Sequence, residues 1–245
     1  MAESKNKNLK ALLLAAGFGT RLGSLTKKVP KCLMLIGNRP LLGLWIEKLE
    51  KLGCEEIIIN THYHANQVNE FVSSLKSKVK IKLSYENELL GTAKTLMKHK
   101  ESFREGLGLL IHADNYTNID LAEFTNFHQI KKNDCLLSMV TFKTDNPKSC
   151  GIVSTDQNGI MIDFNEKPKE PKSNIANGAI YAFNYQLLEY IETIYNKEKI
   201  SDFSKDLIPL LKNKVNTWHT KDFLIDIGTP NNLKIANQYS SKADL

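Results

Sequence analysis

Between Leu14 and Lys31 the chain reads LAAGFGTRLGSLTKKVPK, which sets Gly17, Gly19 and Gly23 beside Arg21 and Lys31. These residue types suit an anion. Glycines let backbone N–H groups approach phosphate oxygens closely, a guanidinium grips them as a fork, and an ammonium adds a point charge. Val29-Pro30 fixes an extended lead that aims Lys31. Spacing excludes two common phosphate loops. A dinucleotide loop needs G-x-G-x-x-G, and counted from Gly17 and Gly19 the third position is Leu22. A P-loop needs G-x-x-x-x-G-K-[ST], and Leu22 again stands where its second glycine belongs. On physics alone the stretch is either an anion loop at a strand end or a turn with two solvated cations.

The elements that must position this loop follow from hydrophobic patterning. Apolar, β-rich runs at 9–16, 56–60, 80–85, 107–113 and 135–142 alternate with helical patterns, the signature of βαβ units on a mainly parallel sheet. Leu41, Trp45, Leu49 and Leu52 mark one helical face, Val68, Phe71, Val72 and Leu75 another, and 120–131 forms a further helix. Beyond Phe142 the pattern changes. GIVSTDQNGIMIDF carries two strand-like runs around Asn158-Gly159, a type I′ hairpin signal. A strand at 179–183, helices at 185–195 and 203–212, a strand at 223–227 and a helix from Pro230 complete the reading. With no internal repeat and no linker, this is one α/β domain: a Rossmann-like, mixed, mainly parallel sheet flanked by helices. The hairpin region is read as a small subdomain packed on the first sheet, with the ligand cleft between them.

Composition narrows the function classes. The 245 residues are 42% apolar and 24% charged, ordinary for a globular protein that buries a substantial core. No apolar run approaches the roughly 18 residues that suggest a membrane span. The polar start MAESKNKN lacks the apolar stretch of a signal peptide, so the expected location is cytoplasmic, with no membrane partner. A net charge of +6 invites a nucleic-acid reading, but the arginines are only Arg21, Arg39 and Arg104 and the lysines are scattered, so no nucleic acid is expected. Cys32, Cys54, Cys135 and Cys150 show no CxxC and no zinc spacing, so they read as reduced packing residues. His62 and His64 form an HxH without further ligands nearby and read as loop polarity.

The motifs together carry a resemblance. Leu14-x-x-Gly17-x-Gly19-Thr20-Arg21-Leu22, then Leu25-Thr26 and Pro30-Lys31, resembles the signature of the sugar-1-phosphate nucleotidyltransferases. Within that family the look is that of the short mannose- or heptose-1-phosphate guanylyltransferases. Glu166-Lys167-Pro168 is similar to the family's EKP motif, Gly91-Thr92-Ala93 to its base-side GTA, and Asp114 and Asp226 to its metal aspartates. The resemblance runs from about Lys10 to Ala236; Ser24 departs from a common proline, and Ala16 from a second glycine of many guanylyl-transferring members.

The resemblance implies attack by a sugar-1-phosphate oxygen on the α-phosphorus of a nucleoside triphosphate, releasing pyrophosphate, a reaction that rests on positioning and charge neutralisation. It places Leu14, Ala15, Ala16, Gly17, Gly19 and Thr20 at the nucleotide, Arg21 on the β- and γ-phosphates and Lys31 near the α-phosphate. Asp114 and Asp226 would hold Mg²⁺. Gly151, Glu166, Lys167 and Asn177 would face the sugar phosphate, and Gly91, Thr92 and Ala93 the base. The domain spans 9–238, with 9–142 as its nucleotide-binding part and 143–238 as its sugar-binding part. Glu86 occupies the base-reading position; a carboxylate only accepts, which suits the adjacent N1–H and N2–H₂ of guanine and favours GTP. Each residue has a plainer alternative: Asp114 as a turn cap, Asp226 as a lysine partner, Glu86 as a solvated strand end. Thymidylyl, uridylyl or cytidylyl transfer and a non-catalytic nucleotide-sugar sensor stay open as rivals. The chain ends shortly after Ala236, so no hexapeptide-repeat domain is expected and any homo-oligomer would assemble through the catalytic domain.

Overall fold

The computed structural model describes residues 8–130, 134–195 and 199–243. Its strands are β1 (Lys10–Leu14), β2 (Leu35–Ile36), β3 (Arg39–Pro40), β4 (Glu56–Thr61), β5 (Lys80–Tyr85), β6 (Gly108–His112) and β7 (Asn115–Thr117). They continue with β8 (Leu137–Lys143), β9 (Gly151–Thr155), β10 (Met161–Glu166), β11 (Ile175–Phe183), β12 (Val215–His219) and β13 (Leu224–Asp226). The α-helices are α1 (Leu41–Lys51), α2 (Ala65–Ser74), α3 (Thr92–Lys98), α4 (Leu121–Gln129), α5 (Tyr185–Tyr195) and α6 (Pro230–Ala243).

One mixed sheet organises the molecule in the order β10-β9-β11-β6-β1-β4-β5, with β8 on β11 and β12 on β8. β1 runs parallel to both β4 and β6, and β4 parallel to β5. The near-continuous apolar runs ALLL and III explain that centre, because strands covered on both faces need no alternation. Two cores result. Leu9, Leu13, Trp45, Leu49 and Phe124 pack on one face. Leu12, Leu96, Tyr181, Phe183 and Leu207 pack on the other.

Several expectations need amendment. The β9–β10 hairpin does not turn at a type I′ pair: only Gly159 has positive φ, and its N–H donates to the Asp156 carbonyl. The Asp156 carboxylate takes the N–H groups of Asn158 and Ile160, which stabilises a longer loop instead. The hairpin joins the main sheet edge-on, because β11 pairs with β9 through Ala176 and with β6 through Ile180 to Phe183. The helix expected at 203–212 splits into a π-turn, Phe203–Leu207, and a 3₁₀ turn, Ile208–Leu211. Pro209 is the reason, since it lacks the N–H that a continuous helix needs. β12 was not anticipated: polar Asn216, Thr217 and His219 mask a strand that runs parallel to β8. The expected end of the 120–131 helix at Lys131 lies outside the described residues.

Candidate active site

The glycine loop leaves the end of β1 between its two parallel neighbours, where Leu14 lies in register with Asn60 of β4 and His112 of β6. That is the carboxyl edge of the parallel strands, the usual ligand site of open α/β sheets. Ala15 and Ala16 are buried, and the Ala15 N–H donates to Asn60 Oδ1 at 2.8 Å. Gly19 sits at φ 63, the left-handed region where a side chain is strained, and it leads into a 3₁₀ turn, Thr20–Leu22, that presents Arg21 to solvent. Pro30, at ψ 147, precedes a second 3₁₀ turn, Lys31–Leu33, and Lys31 is folded inward with 8% of its surface exposed.

Two distant segments meet Lys31 there. β13 pairs antiparallel with β7 so that Asp226 stands opposite Asn115, and the Ile227 N–H donates to the Asp114 carbonyl. Lys31 Nζ donates to Asp114 Oδ2 at 2.5 Å and to Asp226 Oδ1 at 2.8 Å. Arg21 Nη2 donates to Asp226 Oδ2 at 3.1 Å. Burial would lower the Lys31 pKa, but Asp114 and Asp226 outweigh it and hold the ammonium above its ordinary value. Burial would likewise raise the Asp114 carboxyl, yet Lys31 and then His112 outweigh it and hold it below the ordinary value. Arg21, Lys31, Asp114 and Asp226, far apart in sequence, thus form one cluster.

Two carboxylates sharing one ammonium are hard oxygen donors at a single point. Among the described residues no group of three His, Cys, Asp or Glu side chains forms a metal cage. Two carboxylate oxygens at one point are the kind of donor a Mg²⁺ site uses, the ion taking its other ligands from substrate phosphates and water.

The remaining predicted residues fall into two places. On the base side, Gly91 caps α3 at φ 92 with the backbone of Ser201 pressed against it, the Ala93 N–H donates to the Ser201 carbonyl, and Thr92 Oγ1 donates to Asp202. Glu86 is not the solvated strand end considered as its alternative: it is 3% exposed and its carboxylate is turned onto Asn60, Thr95 and Leu90. On the other side, Gly151 pairs in register with Glu166, and Lys167 follows at φ 48 with its ammonium 3.6 Å from Glu166. Asn177 lies at the irregularity of β11, where its Nδ2 donates to Tyr181 Oη and Ser204 Oγ. Among the described residues no hydrogen bond or ion pair joins Glu166, Lys167 or Asn177 to the Lys31 cluster.

Sequence reasoning missed Gly228, Asn60, Thr95 and His112. A Cβ on Gly228 would stand 2.7 Å from Arg21 Nη2 and 2.8 Å from Lys31 Nζ, so only glycine leaves the cluster its room. The signal was its place two residues after Asp226. His112, two before Asp114, holds the one buried side-chain polar atom without a partner among the described residues, Nε2. The histidines of the HxH are accounted for: His62 Nδ1 pairs with the Glu86 carbonyl and His64 Nε2 with that of Thr26. Cys32 and Cys54 are buried thiols that burial pushes up to about 12, in keeping with packing.

A glycine loop and a charged cluster at the carboxyl edge of a mainly parallel sheet define the class. The profile described as Nucleotidyl transferase matches residues 10–242, and the chain belongs to that family. It is 33% identical over 230 residues to the protein named "Probable mannose-1-phosphate guanylyltransferase 1" of Oryza sativa subsp. japonica, a match covering 91% of this chain and 62% of the relative. It is 30% identical over 237 residues to the bifunctional protein GlmU of Methanococcus aeolicus, covering 95% of this chain and 54% of the relative. The chain thus spans only part of the length of these curated relatives. Its fold superimposes on a Bacillus anthracis protein assigned as a glucose-1-phosphate thymidylyltransferase, with a TM-score of 0.83, 23% identity and 95% of each chain covered. No helix of the described residues is long and apolar enough to cross a membrane.

Proposed function

We propose that the protein transfers a guanylyl group from GTP to a manno-configured sugar 1-phosphate, forming a nucleotide-sugar and releasing pyrophosphate. The observation that carries this is the convergence of Arg21, Lys31, Asp114 and Asp226 beside the glycine loop. Two anions must meet for the transfer, and the site offers two cations against their repulsion. The sugar-phosphate oxygen is already ionised and needs no general base, so the work is positioning and charge neutralisation. Arg21, exposed at the loop tip, takes the β- and γ-phosphates and stabilises the departing pyrophosphate. Lys31, inward of it, exchanges its carboxylate partners for the α-phosphate. Asp114 and Asp226 would hold Mg²⁺, which would supply positive charge to neutralise the reacting phosphates. Gly151, Glu166, Lys167 and Asn177 receive the sugar phosphate, with Lys167 on its phosphate group. Gly91, Thr92 and Ala93 flank the base. The choice of guanine and a mannose-type sugar rests on similarity to relatives named as mannose-1-phosphate guanylyltransferases.

Pyrophosphate release, measured for the common nucleoside triphosphates against a panel of sugar 1-phosphates with Mg²⁺, tests the reading. GTP with mannose 1-phosphate or a heptose 1-phosphate is expected to give the highest kcat/KM. A different best base overturns the guanylyl choice, and no release with any pair overturns the enzyme reading.

A further inference from the structure

Glu86 is a buried carboxylate, and among the described residues no cation pairs with it. Its Oε1 accepts from Asn60 Nδ2 at 3.1 Å and from Thr95 Oγ1 at 2.7 Å, and its Oε2 accepts from the Leu90 N–H at 3.2 Å. Its own N–H donates to the Thr61 carbonyl, and its carbonyl pairs with His62 Nδ1. Asn60, 4% exposed, completes the path, because its Oδ1 accepts the Ala15 N–H at 2.8 Å. One chain of hydrogen bonds therefore runs from Ala15, at the root of the glycine loop, through Asn60 and Glu86 to Leu90, beside Gly91.

Burying a carboxylate without a cation is costly unless neutral donors satisfy it, and a network so satisfied holds its members rigidly. Here every partner is a donor and three come from different elements: β4, α3 and the loop between β5 and α3. An acceptor-only group is what such a junction requires. We infer that Glu86 and Asn60 are positioning residues that lock the glycine loop to the base-side loop, so that Glu86 sets the separation of the two loops and does not read the base by contact. The inference rests on the proposed function for what the two loops enclose. Its structural half, coupling between Ala15 and Glu86, stands independently of turnover.

The test replaces donors and acceptors without changing shape. Glu86→Gln puts an NH₂ where one carboxylate oxygen accepts, leaving a donor facing donors. A buried mismatch of that kind commonly lowers an equilibrium about tenfold. In this variant kcat/KM is expected to fall about tenfold for every nucleoside triphosphate alike, with the ranking of bases kept and the KM for the sugar phosphate unchanged. Asn60→Asp keeps the acceptor for the Ala15 N–H but sets an oxygen against Glu86, and its loss is expected to be larger. The double variant Asn60→Asp with Glu86→Gln restores a donor–acceptor pair in the opposite sense, and activity should recover towards that of the wild type. Amide hydrogen exchange followed by NMR supplies a readout free of turnover. Exchange at Ala15, which Glu86 does not touch, is expected to quicken in Glu86→Gln and to slow again in the double variant.

A changed ranking of bases in Glu86→Gln overturns the inference in favour of direct reading. Unchanged Ala15 exchange in Glu86→Gln also overturns it, whatever the activity. Should Asn60→Asp fail to fold, Glu86→Gln alone with the exchange measurement still decides. If the wild type releases no pyrophosphate from any substrate pair, the proposed function fails, and the exchange arm continues to test the coupling by itself.

Discussion

Two carboxylate sites lie near the same edge of the sheet and are satisfied in opposite ways. Asp114 and Asp226 face cations, Lys31 and Arg21, and keep 30% and 40% of their side-chain surfaces open. Among the described residues Glu86 accepts only from neutral donors, and it is sealed at 3% exposure. Ion pairs at a part-open edge can be traded for other ions as a charged ligand arrives, because the incoming charge replaces the outgoing one. Neutral hydrogen bonds in a sealed pocket have no such substitute, and breaking them leaves an unpaired group. The first arrangement suits exchange and the second suits permanence, which is why chemistry is assigned to the aspartates and positioning to the glutamate.

The largest effect that sharpens this contrast comes from the exchanging site. Asp114→Asn or Asp226→Asn would remove one anionic ligand of the proposed Mg²⁺, and a bound metal commonly supplies several kcal/mol of transition-state stabilisation. Turnover at saturating Mg²⁺ is expected to fall roughly a hundredfold or more, as the loss of a few kcal/mol of that stabilisation implies, while circular dichroism and the unfolding midpoint show a folded protein. Near-normal turnover by either variant would remove the aspartates from the chemistry and erase the distinction from Glu86.

A smaller effect tests whether the cluster's room matters apart from its charges. Gly228 has no positive φ, so alanine is conformationally acceptable there. The three atoms nearest its Cβ would be side-chain ends, Arg21 Nη2, Lys31 Nζ and Asp226 Oδ1, all within 2.9 Å. Those ends can move at little cost to folding, but not without leaving their present geometry. Gly228→Ala is expected to lower kcat about tenfold, the scale on which misplacement of catalytic groups acts, with an unfolding midpoint like that of the wild type. Unchanged kcat would show that the cluster tolerates displacement.

The contrast between the two sites was only half legible in the sequence. The strands of the parallel centre were, because long apolar runs such as Ile57-Ile58-Ile59 admit few other readings, and 80–85 coincides with β5. Arg21, Lys31, Asp114 and Asp226 were named from motifs. Nothing in their spacing predicts that β13 would pair with β7 and carry Asp226 to Asp114, since that pairing joins segments more than a hundred residues apart. The burial of Glu86 was not legible for a physical reason: glutamate is almost never buried unpaired, so a solvated strand end stood beside the base-reading position as its alternative. Its burial depends on Asn60 and Thr95, polar residues whose inward direction no periodicity reveals. His112 could have been found, because alternation along β6 sets it apart from Ile111 and two residues before Asp114.

Arg21 gives the smallest expected effect on the fold and the finest test of exchangeability. Its side chain is 57% exposed and its only carboxylate partner among the described residues, Asp226, is 40% exposed, so water and salt compete with the pair throughout. Exposed ion pairs typically contribute between zero and about 1 kcal/mol. Arg21→Ala should therefore leave the unfolding midpoint within about 4 °C of the wild type, as expected for a chain of this length. Lys31 differs, because its side chain is only 9% exposed and it separates two carboxylates. Lys31→Met leaves those carboxylates facing each other and should lower the midpoint by several degrees, since removing one partner of a buried pair strands the others. The kinetic pattern should run the other way along the ligand. Arg21→Ala is expected to raise the KM for the triphosphate, and to do so less at high ionic strength, where the wild-type contact is already screened. Lys31→Met is expected to act mainly on kcat. If Arg21→Ala destabilises the protein as much as Lys31→Met, the Arg21–Asp226 pair is a structural brace, and the claim that this site is built for exchange fails at its most exposed member.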